Sequence, residues 1–95
     1  MNNYIGEIEL KTGQWVMTRG INERMRKDKD FAKFVFKCVE RYAYKDWGDT
    51  CKEDWKMNDA AVESGNDRIV AKYDNIFIIT EWDRSVTTIL FTEEY

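Results

Sequence analysis

Four consecutive residues, Ile76-Phe77-Ile78-Ile79, are apolar at every position. In a strand, alternate side chains point to opposite faces, so such a run needs cover on both. That places it in the middle of a sheet, as part of a strand over residues 76–82. Its neighbours agree. Residues 68–73 read as a strand, and Asp74-Asn75 as a tight turn, since both types tolerate left-handed geometry. Asp83-Arg84-Ser85 turns the chain again, and Val86–Phe91 forms a last strand rich in β-branched residues.

Helices precede this block. Phe31, Phe34, Val35, Cys38, Val39 and Tyr42 recur at three- and four-residue spacing, which predicts an amphipathic helix over residues 30–44 capped by Asp28 or Asp30. Asp46-Trp47-Gly48-Asp49 breaks it. Thr50 and Glu53 then have the spacing of a capping box for a helix over residues 51–63. Trp55 and Ala61 or Val62 are its expected buried positions, and Gly65 its stop. At the start, residues 4–10 alternate as a half-wet strand. Lys11-Thr12-Gly13-Gln14 turns, and residues 15–18 resume, so 4–18 read as a hairpin. Residues 19–27 are polar and read as a loop or short helical turn. The expected order is ββααβββ. The expected fold class is α+β, an antiparallel sheet with two helices on one face, in a single domain spanning residues 1–95.

Composition narrows the chemistry. The 95 residues contain no histidine, which removes the commonest general base and neutral metal ligand. There is no Cys-x-x-Cys spacing and no glycine-rich phosphate loop. No catalytic, metal-binding or cofactor-binding residue is therefore expected, and the chain reads as a non-enzyme. Asp46, Asp49, Glu53 and Asp54 are close enough in sequence to offer oxygens to magnesium, but helix capping and solvation account for them more simply. The start lacks a basic region followed by an apolar stretch, and no apolar run approaches a membrane span. A soluble, cytoplasmic protein with no membrane partner is expected. Two cysteines, Cys38 and Cys51, are too few for a disulfide framework.

Charge is uneven. Residues 19–45 carry nine basic against four acidic side chains, and residues 46–67 carry seven acidic against two basic. The two segments are either solvated helix faces that attract each other or two candidate binding surfaces. The acidic one comprises Asp46, Trp47, Asp49, Glu53 and Asp54. It is joined by Trp82, Asp83 and Arg84 at the tip of the strand–turn–strand, where Glu81, Asp83 and Arg84 could instead form an ion-pair network that fixes the turn. The basic one is a stripe of Lys33, Lys37 and Arg41, extended by Arg24, Arg26 and Lys27, which could track nucleic-acid phosphates. Against the second stand a pI near 5.0 and the placing of the helix aromatics on the buried side.

Several blocks carry a resemblance. They are Met17-Thr18-Arg19-Gly20-Ile21-Asn22, Asp46-Trp47-Gly48-Asp49, Thr80-Glu81 with Asp83-Arg84-Ser85, Thr87-Thr88-Ile89-Leu90-Phe91, and Glu94-Tyr95. In this order they resemble a group of small, largely uncharacterised accessory proteins of Gram-positive plasmids, conjugative elements and phages. Trp82 stands where a small residue is usual in that group, and Thr92 where a proline is usual. The resemblance implies a setting in which small acidic domains disarm host defence. The function it suggests is a non-catalytic inhibitor, an anti-CRISPR protein binding a Cas nuclease such as Cas9. The alternative is a nucleic-acid-binding accessory protein.

Overall fold

A computed structural model describes residues 10–95. The order is β1 (Gln14–Met17), α1 (Arg19–Lys27), α2 (Lys29–Ala43), α3 (Lys52–Ser64), β2 (Ile69–Tyr73), β3 (Ile76–Thr80) and β4 (Val86–Phe91), closed by a 3-10 turn over Thr92–Glu94. The fold is α+β, but with three helices rather than two. The four strands lie in the order β1-β4-β3-β2, with β1 parallel to β4 and the other pairs antiparallel, so the sheet is mixed. Residues 4–9 of the strand expected over residues 4–10 lie outside the described residues.

β3 sits between two neighbours, as its apolar run requires. Ile76 and Ile78 face the helices, and Ile79 on the opposite face is 3% exposed. Asp74 takes a left-handed φ of 54° in the β2–β3 turn. The helix-facing rows Tyr73–Ile76–Phe91 and Ala71–Ile78–Ile89 meet Phe31, Val35, Cys38 and Tyr42 of α2, Ile21 of α1 and Ala61 and Val62 of α3 in one core. At about 25 cal/mol per Å² of apolar surface, this burial is the main stabilising term.

α1 is where polarity misleads. Only Ile21 is buried in it, with Met25 packed against the core. It is a helix because its ends are capped. The Thr18 hydroxyl accepts from the Ile21 N–H at 3.2 Å, and the Asp28 N–H donates to the Arg24 carbonyl at 2.9 Å. Asp28 then caps α2 as well, its carboxylate accepting from the N–H groups of Asp30 and Phe31. Those bonds hold its carboxyl below the usual carboxylate range.

The expected capping box at α3 is absent. Its N-cap is Cys51, without a side-chain bond. Thr50 is drawn elsewhere. Its hydroxyl donates to the Trp47 carbonyl at 2.5 Å and accepts from the Lys72 N–H at 2.9 Å. With Asp49 N–H donating to the Lys72 carbonyl at 2.7 Å, this seals part of the outer edge of β2. Asn58 of α3 seals the next part. Its amide donates to the Val70 carbonyl at 2.8 Å and accepts from the Val70 N–H at 3.1 Å. An edge strand left open is a template for unwanted pairing, and α3 removes that hazard at β2. Gly65 ends α3 in the left-handed region, as its position predicts.

Candidate functional site

The acidic turn residues bond neighbouring groups of the fold itself. Arg41 donates to both oxygens of Asp46, at 2.9 and 3.2 Å, and the Gly48 N–H donates to Asp46 at 3.0 Å. These bonds hold the Asp46 carboxyl below the usual range, the Arg41 contribution being the largest. Asp49 accepts from the Asp74 N–H at 2.7 Å. Between them Gly48 has φ 66°, and a Cβ there would lie 2.6 Å from the Lys72 carbonyl oxygen. The turn is thus clamped against β2.

Trp47 is 0% exposed. Its ring meets Tyr42 edge-on at 5.2 Å, and its indole N–H donates to Asp59 at 2.9 Å. It anchors α3 to the core and cannot touch a partner, which corrects the expectation drawn from its residue type.

Arg84 is a second correction. Its guanidinium donates to four backbone carbonyls: Asp67 at 2.5 Å, Ala61 at 2.8 Å, and Glu81 and Trp82 at 3.2 Å each. A planar fork of five donors suits this role. The anticipated ion-pair network among Glu81, Asp83 and Arg84 is replaced by other bonds. Glu81 meets Arg68 at 3.8 Å, and Asp83 accepts from the Ser85 N–H at 3.0 Å. Two threonines of this hairpin, Thr80 and Thr87, also turn inward. Thr87 donates to the Thr12 carbonyl at 2.6 Å, and its hydroxyl meets Thr80 at 2.7 Å, which meets Tyr42 at 2.5 Å. Because the Thr12 carbonyl can only accept, every hydroxyl in the chain must donate toward it. Burial raises the Tyr42 phenol pKa well above its ordinary value, so Tyr42 serves as a structural donor.

What stays outside is smaller than the sequence suggested. Glu53 and Asp54 are exposed on α3, and Trp82 is 62% exposed. Asp54, Met57, Asn58, Ala60, Asp67, Arg68 and Val70 line an open groove of about 520 Å³ between α3 and β2. Arg84 joins these parts, since one of its nitrogens bonds the carbonyls of both Asp67 and Trp82. The exposed indole therefore stands on backbone next to the rim of the groove.

The basic set divides as well. Arg24 pairs with Asp28 at 3.5 Å and covers the Phe31 ring. Arg41 is held by Asp46. Lys37 reaches Glu40 at 3.3 Å. Arg26, Lys27 and Lys33 have no acidic partner among the described residues. Phe36 departs from expectation. It lies outward on α2 and is 65% exposed, because its position falls opposite the Phe31–Val35–Cys38–Tyr42 side. The 3.6-residue period contains that information, which counting aromatics along the helix overlooks.

Both cysteines are free. Burial pushes the Cys38 thiol up to about 11, which keeps it protonated and unreactive at neutral pH. No cluster of three or more histidine, cysteine or carboxylate side chains suited to a metal ion occurs among the described residues. None of their helices is long and apolar enough to cross a membrane. Comparison with protein-family models, curated proteins and solved structures finds no match to the chain.

Proposed function

We propose that this domain is a non-catalytic binding protein whose contact surface is the α3–β2 groove with its acids and the adjacent Trp82. The observation that carries this reading is the Arg84 bridge, which holds the backbone of the exposed Trp82 next to that of Asp67 in the groove bearing Asp54 and the exposed Met57. Large apolar side chains ringed by polar groups are the usual anchors of protein interfaces. Exposed carboxylates beside them select a basic partner surface by charge complementarity. A surface that binds nucleic acid is basic in this way. In the setting that the resemblance implies, the partner is a host-defence nuclease. The chain then acts as an anti-CRISPR protein that occupies part of the nucleic-acid path of a Cas nuclease.

The test is DNA cleavage by purified Cas ribonucleoproteins titrated with the chain. Inhibition near stoichiometry is expected, and Glu53→Lys, Asp54→Lys and Trp82→Ala together should weaken it by at least about tenfold, a loss of roughly 1.4 kcal/mol. Thermal unfolding should be little changed, because all three side chains are exposed. Full inhibition by the triple variant would overturn the assigned surface. No inhibition across nuclease types would overturn the role.

A further inference from the structure

The outward face of α2 has a different chemistry from the groove on α3. The helix buries Phe31, Val35, Cys38 and Tyr42 on one side. Opposite them, at spacings of three and four, stand Lys29, Lys33, Phe36, Lys37 and Tyr44. Phe36 is 65% exposed and Tyr44, which caps the helix, is 81% exposed. One exposed ring on a surface means little. Two rings interleaved with three lysines on a single stripe combine a stacking platform with a cationic track.

Charge at one end of this stripe is uncompensated. Lys29 and Lys33 have no acidic partner among the described residues, and neither do Arg26 and Lys27 at the adjoining end of α1. At the other end Lys37 neutralises Glu40 at 3.3 Å. The overall charge of −3 therefore hides a local positive field. Phe36 and Tyr44 are eight positions apart, about 12 Å along a helix axis. That is too far for one flat group to bridge, so each ring would receive its own.

We propose that the Lys29, Lys33, Phe36, Lys37 and Tyr44 stripe binds single-stranded nucleic acid, the lysines following phosphates while unpaired bases stack on the two rings. Duplex keeps its bases stacked inside and would use the lysines alone; a single strand uses every side chain of the stripe. Glu40 on the stripe, and Asp30 between Lys29 and Lys33 in the first turn of the helix, oppose a phosphate backbone. The site stands on exposed rings and charges of α2 and does not depend on the α3 reading.

The experiment is fluorescence anisotropy with the full chain and labelled oligothymidylate and oligouridylate of about 12 nucleotides, at about 50 mM salt and upward. Both strands should bind more tightly than a duplex of equal length, a preference between them identifying DNA or RNA as the ligand. Phe36→Ala, Phe36→Leu and Tyr44→Ala should each lose about tenfold in affinity with unchanged circular dichroism. Lys33→Gln with Lys37→Gln should flatten the salt dependence, and Glu40→Gln should tighten binding. Equal affinity for duplex, undiminished binding by Phe36→Leu, or binding of polyglutamate in place of oligonucleotides would each overturn the proposal. Phe36 variants should leave nuclease inhibition intact, and the Glu53, Asp54 and Trp82 variants should leave oligonucleotide binding intact, so the two readings fail separately.

Discussion

The charged residues of the two turns, at 46–49 and 81–85, are bound into the fold, whereas those on the outward side of α2 are left to solvent. Asp46, Asp49, Asp83 and Arg84 all bond backbone groups. Lys29, Lys33 and Lys37 bond none among the described residues. The difference comes from the backbone. In a helix, N–H and C=O groups satisfy one another, so an outward side chain is available for a partner. In a turn, and at the ends of helices and strands, those groups need other partners, and nearby polar side chains supply them. Arg84 meets the carbonyl of Ala61 near the end of α3 together with three loop carbonyls. A conspicuous polar cluster in a turn is therefore weaker evidence of a binding site than a plainer stripe on a helix.

Substitutions can break this contrast or sharpen it. The largest effect is expected from Trp47→Ala, which empties a fully buried site and should cost about 3–5 kcal/mol in denaturant unfolding. A loss under about 1 kcal/mol would mean that Trp47 does not anchor the turn. Arg84→Met, which keeps an unbranched apolar stem and removes the donors, should cost about 2–3 kcal/mol. Arg84→Lys should recover only part of this, because an ammonium lacks the planar fork. Asn58→Ala leaves both backbone groups of Val70 without their side-chain partner and should cost about 1–2 kcal/mol. Faster amide exchange at Val70 would locate the change.

Acid titration gives a smaller effect. The Asp46 carboxyl is depressed in the folded state by Arg41 and by the Gly48 N–H. Its contribution to stability is therefore present above the unfolded value of about 3.9 and is lost as pH falls through the lower folded value. Asp46→Asn should unfold with a shallower pH dependence in that range than the parent chain. The smallest effect belongs to α2. Lys33→Gln, Lys37→Gln and Phe36→Ala should each shift stability by less than about 0.5 kcal/mol, while changing any binding that the stripe supports. A large loss of stability from Phe36→Ala would show the ring to be part of the fold after all.

Legibility followed the range of the signal. α2, α3, β2, β3, β4 and the Asp74-Asn75 turn are all carried by periodicities and turn types within a few residues, and the structure has them close to where they were expected. α1 was obscured because a helix with one buried residue, Ile21, has almost no apolar period. Of the candidate contacts, Asp49, Glu53, Asp54, Trp82, Asp83, Arg24, Arg26, Lys33 and Lys37 remain exposed. Trp47 is buried and the half-buried Arg84 gives its donors to backbone carbonyls, since residue type states what a side chain is able to do and leaves open which way it points.

Sequence by itself determined that β3 is a central strand, that α2 has one buried side, and that histidine chemistry is absent. Each of these depends only on residue identity and on spacings shorter than an element. Tertiary structure alone decided that β1 lies parallel beside β4, that Asn58 and Thr50 close the edge of β2, and that Arg84 gathers carbonyls from α3, the α3–β2 loop and the β3–β4 turn. Those outcomes join residues as far as 72 positions apart in the β1–β4 register. Such pairings become favourable only once the core has brought their elements together, because the entropy of closing long loops is repaid by contacts made at the end.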